Sequence, residues 1–207
     1  FKNILGKRKL SEEVNSPISG LIQISKFFGW PKMVIGGLEQ SGPFIRGIWK
    51  KGLRQIQGKL NVSRCLILGL GGGTAAKLVN QFWPRAKIIG VEIDPVIIQL
   101  AKKYFALDKI PNLKIINANA PEWVKKREKF DLILIDVYLG DKVPKSCETK
   151  EFLKRIKGLL APGGLAIFNR LNYKEKKKET EDFIKKLEKI FSQISLVRTP
   201  SNLLILV

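Results

Sequence analysis

The chain ends with ISLVRTPSNLLILV (194–207), and these residues discriminate between the possible α/β folds. Both ends of the segment are apolar and rich in residues that favour strands, so we expect strands at 194–198 and 203–207. Only TPSN (199–202) separates them, whereas a parallel pair needs a connection of about a dozen residues or more. The segment therefore predicts an antiparallel hairpin.

Upstream of this hairpin, strand and helix patterns alternate from residue 64 onward. Continuous apolar runs, typical of strands buried on both faces, predict strands at Arg64–Leu68, 87–91, Leu113–Asn117, Phe130–Ile135 and 165–168. Helical spacing predicts helices at 74–82, 95–105, 121–126, 149–160 and 173–191. Five βα units followed by an antiparallel hairpin predict a Rossmann-like class I methyltransferase fold with a mostly parallel seven-stranded sheet. A dinucleotide-binding dehydrogenase would instead continue with parallel units.

The N-terminal part has a different pattern. Strand-like segments at 18–27 and 32–38, joined by Gly29-Trp30-Pro31, predict a small β-hairpin, and a basic helix is expected at 44–56. We therefore divide the chain into an N-terminal appendage, 1–60, and a main domain, 61–207. Because the chain opens at Phe1 rather than Met, we expect sequence before it. The Lys-rich opening lacks the apolar segment of a signal peptide.

Composition excludes several classes of protein. The 207 residues suffice for one domain with a sizeable core, and no apolar run approaches the roughly 18 residues needed to span a bilayer. Two distant cysteines, Cys65 and Cys147, do not make a disulfide framework, which favours a cytoplasmic location. The absence of histidine removes His-based triads and most catalytic zinc sites, so no metal site is expected.

The charge of the chain is strongly positive. Lys and Arg number 38 against 18 Asp and Glu, a formal net charge of +20, which attracts phosphates and makes nucleic acid a candidate partner. Against this interpretation, the lysines are spread along the chain and no aromatic residues alternate with their longest run, 176–178. The charge is equally explained by solvated helix faces.

A glycine-rich turn, Gly69-Leu70-Gly71-Gly72-Gly73, follows the first strand of the main domain. Glycines at this position allow a tight turn and a close approach of the backbone to a ligand. The dinucleotide fingerprint would place another glycine at position 74, where the sequence has Thr74. The turn alone does not separate dehydrogenases from methyltransferases.

Polar side chains follow the next three strands, at the edge where open α/β sheets bind ligands. Glu92 could accept hydrogen bonds from both hydroxyls of a ribose, or it could cap the helix turn at Asp94-Pro95. Asn119 could bind an adenine amino group, or cap the short helix that begins near Pro121. Asp136 could hold the amine of a ligand or orient an acceptor. Together these residues and the glycine turn predict a binding site.

The region 65–171 resembles S-adenosylmethionine-dependent methyltransferases of the spermidine-synthase-like branch. The resemblance is carried by LILGLGGGTAAKL, IIGVEIDPVIIQLAKKYF, FDLILIDVY and LKRIKGLLAPGGLAIFNRL, and by MVIGGLEQS in the appendage. It implies S-adenosylmethionine or its decarboxylated form as the bound cofactor, with the ribose at Glu92 and the adenine at Asn119. The cofactor-binding residues that it implies are Gly69, Gly71, Gly72, Gly73, Glu92, Ile93, Asn119, Ala120 and Asp136.

The chain departs from polyamine synthases at positions that would hold a polycationic acceptor. Those enzymes carry an aspartate where Gly72 stands, a second where Leu139 stands, and a tyrosine followed by histidine or glutamine at Arg46 and Gly47. We therefore expect methyl transfer to an unidentified acceptor, with Asp136 nearest the chemistry and Tyr138 and Asp141 as further candidates.

Two alternatives to methyl transfer remain. One is aminopropyl transfer from decarboxylated S-adenosylmethionine, and the other is a non-catalytic nucleoside- or nucleic-acid-binding module. A small-molecule acceptor is the expected partner; nucleic acid and a homodimer remain open, and no membrane partner is expected. Trp49 is expected to pack in the core, although it or Arg46 could line the substrate entrance.

Overall fold

The computed structural model describes residues 9–207, so the opening of the chain at Phe1 lies outside the described residues. The main domain contains a seven-stranded sheet in the order β10-β11-β9-β8-β5-β6-β7. Its strands are β5 (Arg64–Leu68), β6 (Lys87–Glu92), β7 (Leu113–Asn117), β8 (Phe130–Ile135), β9 (Leu160–Leu171), β10 (Ser195–Arg198) and β11 (Asn202–Leu206). Strands β5 to β9 pair in parallel, as the sequence predicts.

The C-terminal hairpin is confirmed. Strand β10 pairs with β11, and β11 pairs with β9, both antiparallel. This places the hairpin at one edge of an otherwise parallel sheet, which is the arrangement predicted from the short turn at 199–202.

Six α-helices connect and cover the sheets within residues 9–207. They are α1 (Pro43–Ile56), α2 (Thr74–Phe82), α3 (Pro95–Phe105), α4 (Ala120–Trp123), α5 (Lys150–Leu159) and α6 (Lys176–Glu188). Asp94 caps α3 by accepting a hydrogen bond from the Val96 amide, as expected from a polar residue before a first-turn proline. None of the helices in residues 9–207 is long and apolar enough to cross a bilayer.

Several predicted boundaries are wrong by a few residues. Helix α6 is shorter than the predicted 173–191 segment. Strand β9 begins at Leu160 and runs through Pro162-Gly163-Gly164, which lie between the helix predicted at 149–160 and the strand predicted at 165–168. Its pairing with β8 shifts register near Phe130, so an irregularity within the strand accommodates these residues.

The N-terminal appendage is larger than the predicted hairpin. It is a four-stranded antiparallel sheet of β1 (Lys9–Ser16), β2 (Gly20–Phe27), β3 (Trp30–Ile35) and β4 (Leu38–Ser41). The predicted second strand divides into β3 and β4 because Gly36 and Gly37 both adopt positive φ angles, +57° and +79°. Strand β1 escaped prediction because its sequence, KLSEEVNS, is mostly polar.

Specific hydrogen bonds join the appendage to the main domain. The Ser16 hydroxyl donates to the Asp94 carboxylate at 2.5 Å, and the Tyr104 hydroxyl donates to Glu12 at 2.6 Å. Apolar residues of β2 and β3 pack against α3 in a shared cluster. The small sheet is therefore held directly above the carboxyl edge of the large one.

Candidate active site at the carboxyl edge of the sheet

A hollow of about 950 Å³, counting the part that is open to solvent, lies at the carboxyl ends of β5, β6 and β8. Residues of β3, β4 and α1 form its other wall. Most of the predicted site residues line it: Gly69, Gly71, Glu92, Ile93, Asn119, Ala120, Asp136 and Tyr138. Gly72, Gly73 and Asp141 are not among the lining residues.

Close packing explains the glycines of the turn after β5. Gly69 has a φ angle of +84°, and a Cβ atom there would lie 2.2 Å from the Asp136 carbonyl oxygen. At Gly72 a Cβ atom would lie 2.8 Å from the Ser41 Cβ and 3.0 Å from the Phe105 ring. Both distances are shorter than atoms tolerate, so the turn requires glycine at these positions.

The amide groups of the turn are all engaged by the protein itself. The Gly71 amide donates to Glu92 Oε2 at 2.9 Å, and the Gly72 amide donates to the Ser41 hydroxyl at 2.7 Å. The amides of Gly69, Leu70 and Gly73 donate to backbone carbonyls. A ligand at this turn can therefore contact the backbone closely, but the turn, which lies within the described residues, has no free amide group to donate to it.

Glu92 is buried at the end of β6, with 7% of its surface exposed. Besides the Gly71 amide, it accepts a hydrogen bond from the Asp94 amide through Oε1 at 3.1 Å. Burial raises the pKa of Glu92, and these two backbone hydrogen bonds oppose the rise. The carboxylate therefore supports the turn at Asp94, as the capping interpretation expected, while it still lines the hollow.

Asn119 and its neighbours lie on the side of the hollow formed by β7 and α4. Asn119 is the N-cap residue of α4, but its side chain makes no capping hydrogen bond with the described residues. Its amide is therefore available to a ligand, and the capping alternative does not account for it. Ile93 is 37% exposed and lines the same hollow together with Ala120, which is buried. These residues form an apolar surface with one polar group, which suits a purine base.

Asp136 is held by two donors at the end of β8. The Trp49 indole nitrogen donates to Oδ2 at 2.9 Å, and Asn169 Nδ2 donates to Oδ1 at 2.8 Å. Asn202 donates to Asn169 Oδ1 at 2.9 Å, which fixes the orientation of the Asn169 amide. Burial raises the pKa of Asp136, and the two donors oppose the rise. Because both partners donate, the arrangement favours the ionised carboxylate over the protonated form.

The other two predicted catalytic residues have structural contacts. The Tyr138 hydroxyl donates to the Asn169 carbonyl at 3.0 Å and accepts from the Leu171 amide at 2.9 Å, so it joins β9 to the loop after β8. Burial raises the pKa of Tyr138. Asp141 forms a salt bridge with Lys176 at 3.0 Å, and that hydrogen bond lowers the pKa of Asp141. The structure therefore does not bring Asp141 to the hollow.

Two residues that contact the site, Ser41 and Asn169, were missed by sequence reasoning, whereas Trp49 is a residue that the sequence leaves open for the substrate entrance. Trp49 is fully buried, as expected, but its indole nitrogen reaches the predicted site. The Arg46 side chain instead donates a hydrogen bond to Gln81 at 3.0 Å. Arg46 lines neither this hollow nor the second hollow that adjoins it, which is described below. The apolar face of α1 gives no signal in the sequence that one of its residues also donates a hydrogen bond to a carboxylate in another element.

The electrostatic character of the hollow is opposite to that of the whole chain. Its titratable lining includes two carboxylates, Glu92 and Asp136, and among residues 9–207 no lysine or arginine lines it. A chain of formal charge +20 thus contains an acidic pocket. The local field, rather than the net charge, decides which ligands this pocket accepts.

A second hollow adjoins the first and shares part of its wall. Its volume is about 530 Å³, again counting the part that is open to solvent. Asp136, Tyr138, Gln40, Ile45 and Gly140 line both hollows. The remaining lining residues of the second hollow are Leu38, Glu39, Phe44, Asn169, Leu171, Tyr173, Ser201 and Asn202. Asp136 therefore lies at the junction of two compartments.

Comparison with known proteins agrees with this geometry. A model of the spermine/spermidine synthase domain matches residues 49–203, three quarters of the chain. The chain belongs to the spermine/spermidine synthase domain family. This confirms the predicted spermidine-synthase-like relationship.

Named relatives within and around the family include two kinds of transferase. A polyamine aminopropyltransferase from Vibrio vulnificus is 36% identical over 110 residues, covering 51% of this chain and 37% of that protein. A homologue of eEF1A lysine and N-terminal methyltransferase from Drosophila melanogaster is 31% identical over 114 residues, covering 50% and 17%. The chain thus spans well under two thirds of the length of these relatives.

The structure of a probable spermidine synthase from Corynebacterium glutamicum superposes with a TM-score of 0.80 at 20% identity. The match covers 96% of this chain and 79% of that one. It confirms the mixed α/β fold, including the N-terminal sheet. The family match and the named relatives favour the aminopropyl alternative over the methyl transfer expected from the sequence.

Proposed function

We propose that the chain transfers an aminopropyl group from decarboxylated S-adenosylmethionine to an amine. The observation that carries this proposal is the charge of the hollow: two carboxylates line it, and no basic side chain of residues 9–207 does. The decarboxylated donor carries two positive charges and no carboxylate. Glu92 and Asp136 attract the positive charges of such a ligand, and the ligand brings no negative group that would need a partner.

The residues of the hollow fit the parts of this donor. Glu92 has acceptor capacity beyond its two backbone partners, which suits the ribose hydroxyls. The side chain of Asn119 and the apolar surface of Ile93 and Ala120 suit the adenine. Gly69 and Gly71 line the part of the hollow where the chain that carries the sulfur would lie. These assignments follow the resemblance and the placement of the residues together.

When bound, the donor supplies an electrophilic carbon: the acceptor nitrogen bonds to it as the carbon–sulfur bond breaks, leaving a neutral thioether. Much of the acceleration of such a displacement can come from holding the reactants in line, about 7–11 kcal/mol at most. Asp136 lies at the junction of the two hollows, where its negative charge faces both reactants. Its two donors favour the ionised form, which attracts a cationic amine. The acceptor amine must lose a proton to react, and solvent or Asp136 can receive it.

Methyl transfer from S-adenosylmethionine is the second candidate, and one observation favours it. Helix α2 begins after Gly73 without a side-chain cap from the described residues. Its first amides near Thr74 and Ala75, two residues that line the hollow, could therefore bind the donor's carboxylate. The glycine at position 72 likewise places no negative charge near that group.

Titration calorimetry with both sulfonium nucleosides, followed by product analysis, tests the proposal. We expect decarboxylated S-adenosylmethionine to bind about tenfold more tightly than S-adenosylmethionine, because the latter brings an unpaired carboxylate into an acidic hollow. Tighter binding of S-adenosylmethionine, with methylated product, would establish the second candidate instead. Binding of neither nucleoside would overturn both and favour a module without transferase chemistry.

A further inference from the structure

The second hollow contains two acidic side chains, but their charges are compensated differently. Glu39 Oε2 forms a salt bridge with Lys32 at 3.0 Å, and Glu39 Oε1 accepts a hydrogen bond from the Phe44 amide at 2.9 Å. Both side chains of the pair are largely buried, 18% exposed for Lys32 and 10% for Glu39. The negative charge of Glu39 is therefore already neutralised by the protein.

Asp136 has no such counter-charge. Its two partners, Trp49 and Asn169, are neutral donors, so they fix the carboxylate without cancelling its charge. No lysine or arginine from the described part of the chain lines the second hollow. Among the described lining residues of the second hollow, Asp136 is thus the only one whose charge is not compensated. It lies at the junction with the first hollow, where the aminopropyl donor would bind.

The rest of the second hollow offers uncharged surfaces. Phe44 and Tyr173 contribute aromatic surface, and Leu38 and Leu171 contribute aliphatic surface. The Gln40 amide nitrogen donates to the Gly140 carbonyl at 3.1 Å, which leaves its carbonyl oxygen for a ligand. These groups can accommodate an apolar or neutral polar chain.

From this distribution of charge we propose that the second hollow binds an acceptor with a single ammonium group and an uncharged remainder. The ammonium lies at Asp136, and the remainder extends between Phe44, Tyr173 and Gln40. For the second ammonium of a diamine, the other carboxylate in the described lining of this hollow is Glu39, which Lys32 already neutralises. Desolvating that second charge without a partner is unfavourable. This inference rests on the proposed function and specifies its acceptor.

The test compares two amines of equal length, 1-aminobutane and 1,4-diaminobutane, by titration calorimetry with the protein saturated with 5′-methylthioadenosine. We expect 1-aminobutane to bind about tenfold more tightly. Lys32→Gln removes the counter-charge of Glu39, so it should raise the affinity for the diamine about tenfold and change that for the monoamine less than about twofold. Adding Glu39→Gln to Lys32→Gln should abolish this gain. Lys26→Gln, an exposed position on the same small sheet, is the matched control.

The outcomes separate this inference from the function on which it rests. Equal or tighter binding of the diamine by the unmodified protein would overturn the inference, as would a Lys32→Gln variant whose affinity for the diamine does not rise. Thermal unfolding of each variant establishes that it is folded. If 5′-methylthioadenosine and both sulfonium nucleosides fail to bind, the proposed function itself is wrong. If a nucleoside binds and only the preference between amines differs, the function stands and the acceptor class changes.

Discussion

Glu92 at the end of β6 and Asp136 at the end of β8 are buried carboxylates on the same edge of the sheet, but they are held in different ways. Glu92 is bound by backbone amides of the neighbouring turn and of Asp94, two residues along the chain. Asp136 is bound by the side chains of Trp49 and Asn169, which are 87 and 33 residues away in sequence.

The difference has a consequence for function. The partners of Glu92 are part of the backbone of the fold, so any sequence that forms this turn supplies them. The partners of Asp136 depend on particular side chains in α1 and β9, so they can vary while the fold is kept. In the proposed function, recognition of the nucleoside therefore depends on the common framework, whereas the charge at the junction can be adjusted independently of it.

The largest effect is expected at Gly69, because this residue packs directly on the backbone of Asp136. Gly69→Ala would place a Cβ atom 2.2 Å from the Asp136 carbonyl oxygen, at a residue whose φ angle is +84°. We expect a loss of about 2–4 kcal/mol of unfolding free energy from overpacking and strain. Chemical denaturation measures this, and calorimetry should show weaker nucleoside binding, because the displaced turn lines the hollow.

Gly163→Ala separates the two causes. Gly163 has a similar φ angle of +74°, but nothing lies within 4 Å of its added Cβ atom. Only the conformational cost, about 1 kcal/mol, should appear there, and nucleoside binding should be unchanged. Equal losses for the two variants would show that the contact with the Asp136 backbone does not matter.

The next largest effect is expected at Glu92, at the end of β6. Glu92→Ala removes the acceptor of the Gly71 and Asp94 amides and, by the proposal, of the ribose hydroxyls. We expect nucleoside affinity to fall about 10–100-fold, from one or two lost charge-assisted hydrogen bonds, and calorimetry measures it. Glu181→Ala on the exposed face of α6 is the control and should leave affinity unchanged. Unchanged affinity in Glu92→Ala would remove Glu92 from the nucleoside site.

The fold could be predicted from the sequence because its decisive signals are local. Apolar strands buried on both faces and the short turn before β11 need no knowledge of distant contacts. The N-terminal sheet was predicted only in part, since β1 is polar and gains its strand character by pairing with β2. That pairing is a property of the assembled sheet rather than of either sequence.

The residues of the site were likewise predicted only in part. Glu92, Asn119 and Asp136 end consecutive parallel strands or the turns after them, so topology alone brings them to one edge. Asp141 was placed near them by sequence proximity, but the loop after β8 turns it toward Lys176. The contact between Trp49 and Asp136 joins a helix of the appendage to the main domain, and neither sequence pattern indicates it.

The smallest effect is expected at Trp49, and it concerns pH rather than folding. Trp49→Phe keeps an aromatic ring in the core but removes the indole N–H that donates to Asp136. That hydrogen bond favours the ionised carboxylate and opposes the effect of burial, so its loss should raise the pKa of Asp136 further. Binding of a cation needs the carboxylate and is lost as the pH falls through this pKa. The loss should therefore begin at a higher pH in the variant.

The acid limb of amine binding is the part of the pH profile in which affinity is lost as the pH falls. We expect this limb to move upward by about one pH unit, the equivalent of a lost hydrogen bond of about 1.4 kcal/mol. Calorimetric titrations on a buffer series that extends from neutral to acid pH measure the limb. Trp83→Phe is the matched control, because the Trp83 indole donates to the Leu60 carbonyl at 3.1 Å, away from both hollows. It loses a hydrogen bond of the same kind and should not move the limb. If both variants behave alike, Trp49 serves only the packing of α1, and the charge at the junction does not depend on it.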